Sequence, residues 1–160
     1  MYFEEKEISG TETRTLAADS LKEEMESYGY ELDSRDEYEE AVAEAIKRSW
    51  DFEIGDYRFL LVSRAAEIIA ESYEGDPYLI GSFSPWFLSD FLDAPTEIIE
   101  QIQESDGYEA LGNWIIEKGV LEEMIAETIR LDGVGHMASS YDGNWMETDI
   151  AGADYYIVHI

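Results

Sequence analysis

Residues 131–160 read LDGVGHMASSYDGNWMETDIAGADYYIVHI, and this stretch decides the fold class. Gly133, Gly135, Gly143 and Gly152 cut it into short segments, His136 to Tyr141, Trp145 to Ile150 and Tyr155 to Ile160. Asp142-Gly143 carries the two-residue hairpin signal. The expectation is a terminal antiparallel β-meander over about 132–160.

Upstream of Leu131 the texture is helical. A first helix is predicted after Thr15, with Leu21, Met25 and Tyr28 at helical spacing, Glu23, Glu24 and Glu26 turned away, and an end at Gly29. Ser34 with Glu37 three residues later forms a capping box ahead of Tyr38, Val42, Ala45 and Ile46. Asp56 to Tyr73 is apolar almost all round, which predicts a central buried helix whose Glu67, Glu71 and Glu74 meet solvent. Ser84-Pro85 reads as an N-cap followed by proline at the first helical position, leading into Trp86, Phe87, Leu88 and Phe91. Pro95-Thr96 restarts the chain into Glu97 to Gln103, with Ile98, Ile99 and Ile102 inward. Two further helices, about Tyr108 to Lys118 and Val120 to Leu131, break at Gly119. Residues 2–8 read as a strand or an ordered arm. The predicted class is α+β, a helix-dominant single domain over 1–160, with a helical body at about 15–131 and the β-meander after it.

At 160 residues, 45% of them hydrophobic, the chain can bury a full core. Its 38 acids against 10 bases give a net charge of −28, enough for the compact state to repel itself. Every third of the chain carries the excess, so folded surfaces and not a detachable tail must hold it. The apolar run from Leu79 to Leu88 is broken by Gly81, Ser82, Ser84 and Pro85 and falls short of the roughly 20 residues that cross a bilayer. The start, Met1-Tyr-Phe-Glu-Glu-Lys-Glu, has neither the basic residues nor the apolar run of a secretory signal. With no cysteine, disulfides and thiolate metal sites are excluded, and a cytoplasmic address is the expectation.

Catalytic patterns are absent from the sequence. His136 and His159 lie 23 positions apart without metal-ligand spacing, and both read as strand histidines with one face exposed. Asp132-Gly-Val-Gly-His136 could set a histidine beside a carboxylate, although a turn into a strand is the stronger reading. Asp142-Gly-Asn144 begins like a calcium loop, but Met146 takes the next ligand position and Ala153 the place of the bidentate glutamate, so that reading fails. No phosphate-binding glycine loop or nucleophile elbow is present, and pairs of carboxylates arise by chance among 38 acids. Direct nucleic-acid binding is disfavoured, since only Lys47-Arg48 are adjacent cations, and those oppose a helix dipole. The expected protein is not an enzyme and carries no cofactor or metal.

The acidic face itself is the candidate site. Asp36, Glu37, Glu40 and Glu44 give about one carboxylate per 3 to 4 Å of helix axis, and two such helices side by side approach the roughly 1.7 Å charge spacing of duplex DNA. Glu23, Glu24, Glu67, Glu71, Glu97, Glu100 and Glu104 complete the predicted partner-binding set, although for any single acidic face a solvated surface is the stronger reading and only their sum argues for binding. Reversing Asp36, Glu37, Glu40 and Glu44 to lysine is expected to abolish binding and to leave the fold intact.

In size, absence of cysteine, helical body and dispersed acidity, the chain resembles the DNA-mimic anti-defence proteins of phages and plasmids, of the antirestriction and anti-CRISPR type. That resemblance implies an inhibitor seated in the basic DNA-binding cleft of a host nuclease complex, acting in the host cytoplasm. A homodimer would lengthen the mimic by joining two acidic faces. Residues 132–143, with Tyr155-Tyr-Ile, also resemble the tail of small uncharacterised phage proteins, from which no functional residue follows. The competing readings are an acidic interaction or assembly protein of a phage, with Tyr78 to Phe91 as its apolar patch, and halophilic adaptation. The 25 Glu, 13 Asp and 16 Ile argue against the latter.

Overall fold

A computed structural model describes residues 11–160, with side chains from Arg14 onward; the strand or arm expected at residues 2–8 lies outside them. The described chain runs α1 (Thr11–Ser27), α2 (Arg35–Ile46), β1 (Asp51–Ile54), β2 (Tyr57–Leu61), a 3-10 turn (Val62–Arg64) and α3 (Ala65–Tyr73). It continues through α4 (Pro77–Gly81), α5 (Pro85–Leu92), α6 (Thr96–Glu104), α7 (Tyr108–Lys118), α8 (Leu121–Asp132) and α9 (Gly135–Ala138), and ends on β3 (Trp145–Ile150) and β4 (Ala153–His159). The class is α+β with helix dominant. Contacts group these elements into two compact units, the described residues up to Ala65 together with Asp132–Ile160, and Ala66–Leu131.

The first unit is built on an antiparallel sheet of order β1-β2-β4-β3. The helix expected from Asp56 is a strand over its first third. Tyr57, Phe59 and Leu61 alternate onto one face, and Phe59 stands opposite Phe52 of β1 and Ile157 of β4. A short, unbroken apolar run fits a buried strand as well as a buried helix, and the residues that separate the two are Gly55-Asp56 before it, with Gly55 at φ 60°. Helix begins only at Ala65.

A second correction concerns the C-terminal strands. His136 lies on α9, a single helical turn, and residues 139–144 are loop, so neither the strand from His136 nor the hairpin at Asp142-Gly143 forms. The hairpin turns at Ala151-Gly152 instead, both at positive φ (56° and 85°), and Asp149 Oδ1 accepts the Gly152 N–H at 3.0 Å. That pair of left-handed residues suits the twist of a two-residue hairpin.

Helices α1 and α2 bring Ala18, Leu21, Met25, Tyr38, Val42 and Ala45 into one core with Phe59, Met146, Tyr155 and Ile157 from the sheet. Leu61 joins it at 8% exposure, so Leu61→Ala is expected to cost about 2 to 5 kcal/mol in chemical denaturation. Tyr155 is buried and its hydroxyl donates to the Ser49 carbonyl at 2.7 Å, joining residues 106 positions apart. Burial pushes the phenol up to about 12 from an ordinary value of 10.0. Folding therefore favours its protonated form, a contribution present below pH 10 and lost as pH rises through about 12. Tyr155→Phe leaves the Ser49 carbonyl without this donor and should cost about 1 to 2 kcal/mol at neutral pH, measured by urea unfolding.

The second unit holds six helices. Asp76 caps α4 by accepting the Leu79 N–H at 3.2 Å, with Pro77 in the first turn. This helix crosses α7 through two glycines: a Cβ at Gly81 would overlap the Tyr108 carbonyl, and one at Gly112 the Pro77 carbonyl. From α6, Gln103 Nε2 donates to the carbonyls of Gly81 and Phe83, both at 2.9 Å. The helices over Ser84-Pro85, Pro95-Thr96 and Tyr108–Lys118 form where the sequence places them, and Gly119 ends α7 at φ 75°.

Candidate partner-binding surface

The predicted carboxylates divide between the units. Glu23 and Glu24 are exposed on α1, and Asp36 and Glu40 on α2. The other two acids of the α2 row are engaged in holding the helix. Glu37 is half-buried and its carboxylate accepts the Asp33 N–H at 2.7 Å, one residue before the N-cap, and the Ser34 hydroxyl makes no capping bond, so the expected capping box does not form. Glu44 accepts from Lys47 Nζ at 3.2 Å and from Ser49 Oγ at 3.4 Å beyond the helix end. Reversing all four would remove these contacts, so a loss of stability is expected alongside any loss of binding.

In the second unit, Glu97, Glu100 and Glu104 are all exposed along α6, whose Ile99 is buried. Glu67 and Glu71 lie one turn apart on α3, and the structure adds Glu74 and Glu122 to them. These four line a cleft of about 280 Å³ with Ala70, Ile116, Gly119 and Leu121. Neither Glu74 nor Glu122 was singled out as a binding residue from sequence. Glu74 follows Glu67 and Glu71 at helical spacing and was legible, whereas Glu122 arrives from α8 and was not.

Ala66–Leu131 carries 15 acids and two bases. Both bases are committed within the unit: Lys118 Nζ donates to the Phe91 carbonyl at 2.8 Å, and Arg130 Nε to Glu127 at 2.9 Å. That pairing holds the Glu127 carboxyl below its ordinary value. In the first unit Arg58 binds both oxygens of Asp51, at 2.8 and 3.0 Å, and Arg35 pairs with Asp19.

Acids also stand where helix electrostatics opposes them. A helix C-terminus carries partial negative charge and favours cations. Yet α1 has Glu24 and Glu26 in its last turn, α3 has Glu71 there with Glu74 just beyond its end, α5 has Asp90 with Asp93 as its C-cap, and α6 ends on Glu104, with no basic residue in the last turn of any of the four. Each placement costs about 0.3 to 1 kcal/mol in an exposed helix.

No group of three metal-binding side chains occurs among the described residues. His159 lies against Tyr57 and Tyr141, ring centroids 5.0 and 4.2 Å away. Asp142 beside it is held below the ordinary carboxylate range, mainly by the Asn144 N–H and less by His159. A hollow of about 700 Å³ in the first unit has Arg58 as its cation, already paired with Asp51 and flanked by Glu53 and Asp56. Of the aromatic stretch Tyr78 to Phe91, Phe87 and Leu88 are buried, while Tyr78 and Trp86 are 53% and 59% exposed. No described helix is long and apolar enough to cross a membrane. Compared with protein families, curated proteins and solved structures, the chain finds no match.

Proposed function

We propose that the protein is an acidic inhibitor that mimics DNA and occupies the basic DNA-binding cleft of a host defence nuclease complex, of restriction or CRISPR type, in the host cytoplasm. The observation that carries this reading is the placement of carboxylates at the negative ends of α1, α3, α5 and α6, where they weaken the helices that bear them. Acids that serve helix stability sit at N-termini, as Asp36, Glu37, Glu67, Glu97, Glu109, Glu122 and Glu123 do; the C-terminal ones have no such role. Acids at the C-termini add to the dipole and deepen the negative potential that a cationic cleft would meet.

The unit Ala66–Leu131 fits the role better than α2, because its 13 excess negatives leave no uncommitted cation within the unit. Along α6, Glu97, Glu100 and Glu104 follow at axial intervals of about 4.5 and 6 Å, the same order as the roughly 3.4 Å rise between phosphates of one DNA strand. Exposed Tyr78 and Trp86 favour a second reading, an acidic interaction or assembly protein of a phage without DNA mimicry. Capture from host lysate at low salt, followed by elution with duplex DNA, separates the two. Release of a nuclease complex by DNA supports mimicry, and a partner that DNA fails to release supports the second reading.

A further inference from the structure

We infer that the edge of β3, unpaired among the described residues, takes up an extended, lysine- or arginine-bearing segment of a partner protein as a fifth strand. β3 is an outermost strand of the sheet, and its pairing with β4 runs without a bulge from Trp145↔Val158 to Ile150↔Ala153. A two-residue turn with both residues at positive φ closes on a hydrogen-bonded pair, here Ile150 and Ala153. Antiparallel alternation then makes Thr148–Tyr155 and Met146–Ile157 the other bonded pairs. Trp145, Glu147 and Asp149 therefore turn their main-chain N–H and C=O groups away from β4. Among the described residues nothing bonds these groups: α1 packs on the inner face of β3, where Met146 and Ile150 join the core, and the Trp145 ring lies over Gly133 and Gly135.

Sheet edges are usually blunted by proline, a bulge or extreme shortness. β3 has six residues, no proline and no bulge. Its protection is charge of one sign, because the residues with outward main-chain groups include the exposed Glu147 and Asp149, with Asp154 opposite Asp149 on β4. Like charges facing each other across strands are destabilising and opposite charges stabilising. A second copy pairing edge to edge would set Glu147 and Asp149 against their own kind on a body of charge −28, so self-association is opposed. A strand with cations at alternate positions meets these carboxylates while its main chain satisfies the open groups, which is strand addition with charge as the selector. The inference is independent of DNA mimicry, which rests on helix carboxylates.

The test is a titration of the full-length, nitrogen-15-labelled protein with acetyl-Lys-Val-Lys-Thr-Lys-Val-amide and with its Glu-for-Lys counterpart. The basic peptide should slow amide exchange at Trp145, Glu147 and Asp149 by about tenfold or more at saturation, and the acidic one should leave it unchanged. Glu147→Pro removes an outward N–H but no bond to β4, and should weaken binding about five- to tenfold with the Thr148 and Tyr155 amides undisturbed. Should proline disturb the hairpin, Glu147→Lys decides the matter, because it leaves the Asp149–Gly152 turn bond in place and should weaken binding of the basic peptide while strengthening that of the acidic one. Absence of binding by the basic peptide, binding indifferent to both variants, or shifts confined to the helices would each overturn the inference.

Discussion

Gly112→Ala is expected to unfold Ala66–Leu131 as a unit. The added Cβ would occupy the space of the Pro77 carbonyl oxygen, which is main chain and cannot rotate aside. Relief requires α4 and α7 to separate, and that separation also opens the crossing at Gly81 under the Tyr108 carbonyl. Ordinary overpacking costs about 1 to 3 kcal/mol because side chains shift to absorb it, and a clash with backbone exceeds that range. Circular dichroism should show loss of helix, with Lys118 and Gln103 amide signals collapsing, while the Tyr155 environment persists if the sheet unit folds alone. Gly119→Ala is the control: a Cβ there meets nothing, so only the left-handed φ of 75° is penalised, by about 1 to 2 kcal/mol.

The largest functional effect is expected from Glu71, Glu97, Glu100 and Glu104 changed together to lysine. All four are exposed, and among the described residues their side chains make no hydrogen bond or ion pair. Their reversal moves the net charge from −28 to −20; it sets cations near the C-termini of α3 and α6 at positions 71 and 104, where the dipole favours them, and one in the first turn of α6 at position 97, where the dipole opposes it. These dipole effects oppose one another, so stability should change little. Affinity for a cationic cleft should fall about 10² to 10³-fold, the sum of several partly exposed charge contacts and new like-charge repulsions. Calorimetric titration together with a thermal melt reads both quantities. The same reversal on Asp36, Glu37, Glu40 and Glu44 should instead lower stability, since Glu37 holds the Asp33 N–H and Glu44 holds Lys47 and Ser49.

Most helices were legible because their punctuation is local. Pro85, Pro95 and Gly119 act within a residue or two, and the corresponding helices start or stop there. The buried strand Tyr57–Leu61 was misread because its periodicity is ambiguous, and the hairpin residues Gly55-Asp56 that resolve it precede the run. Asp142-Gly143 is the stronger turn signal in isolation, yet the loop it sits in is organised by Ser139, whose hydroxyl donates to the His159 carbonyl at 2.5 Å. Ala151-Gly152 forms the hairpin because pairing of the flanking strands imposes a left-handed alanine that local propensity would not select. The close approach at Gly81 and Gly112 had no sequence signature, for it depends on which two helices cross. Exposure of the carboxylates followed from composition, but which of them are tied down, and that Glu122 meets the α3 row, required three dimensions.

Displacement by duplex DNA of the captured nuclease complex, followed from about 50 to 200 mM salt, tests the mimicry reading most directly. Mimicry requires competitive displacement, with an affinity for the protein that falls steeply as salt rises, because both ligands draw on the same cationic groups. Simultaneous binding of DNA and protein, or an affinity indifferent to salt, would contradict it.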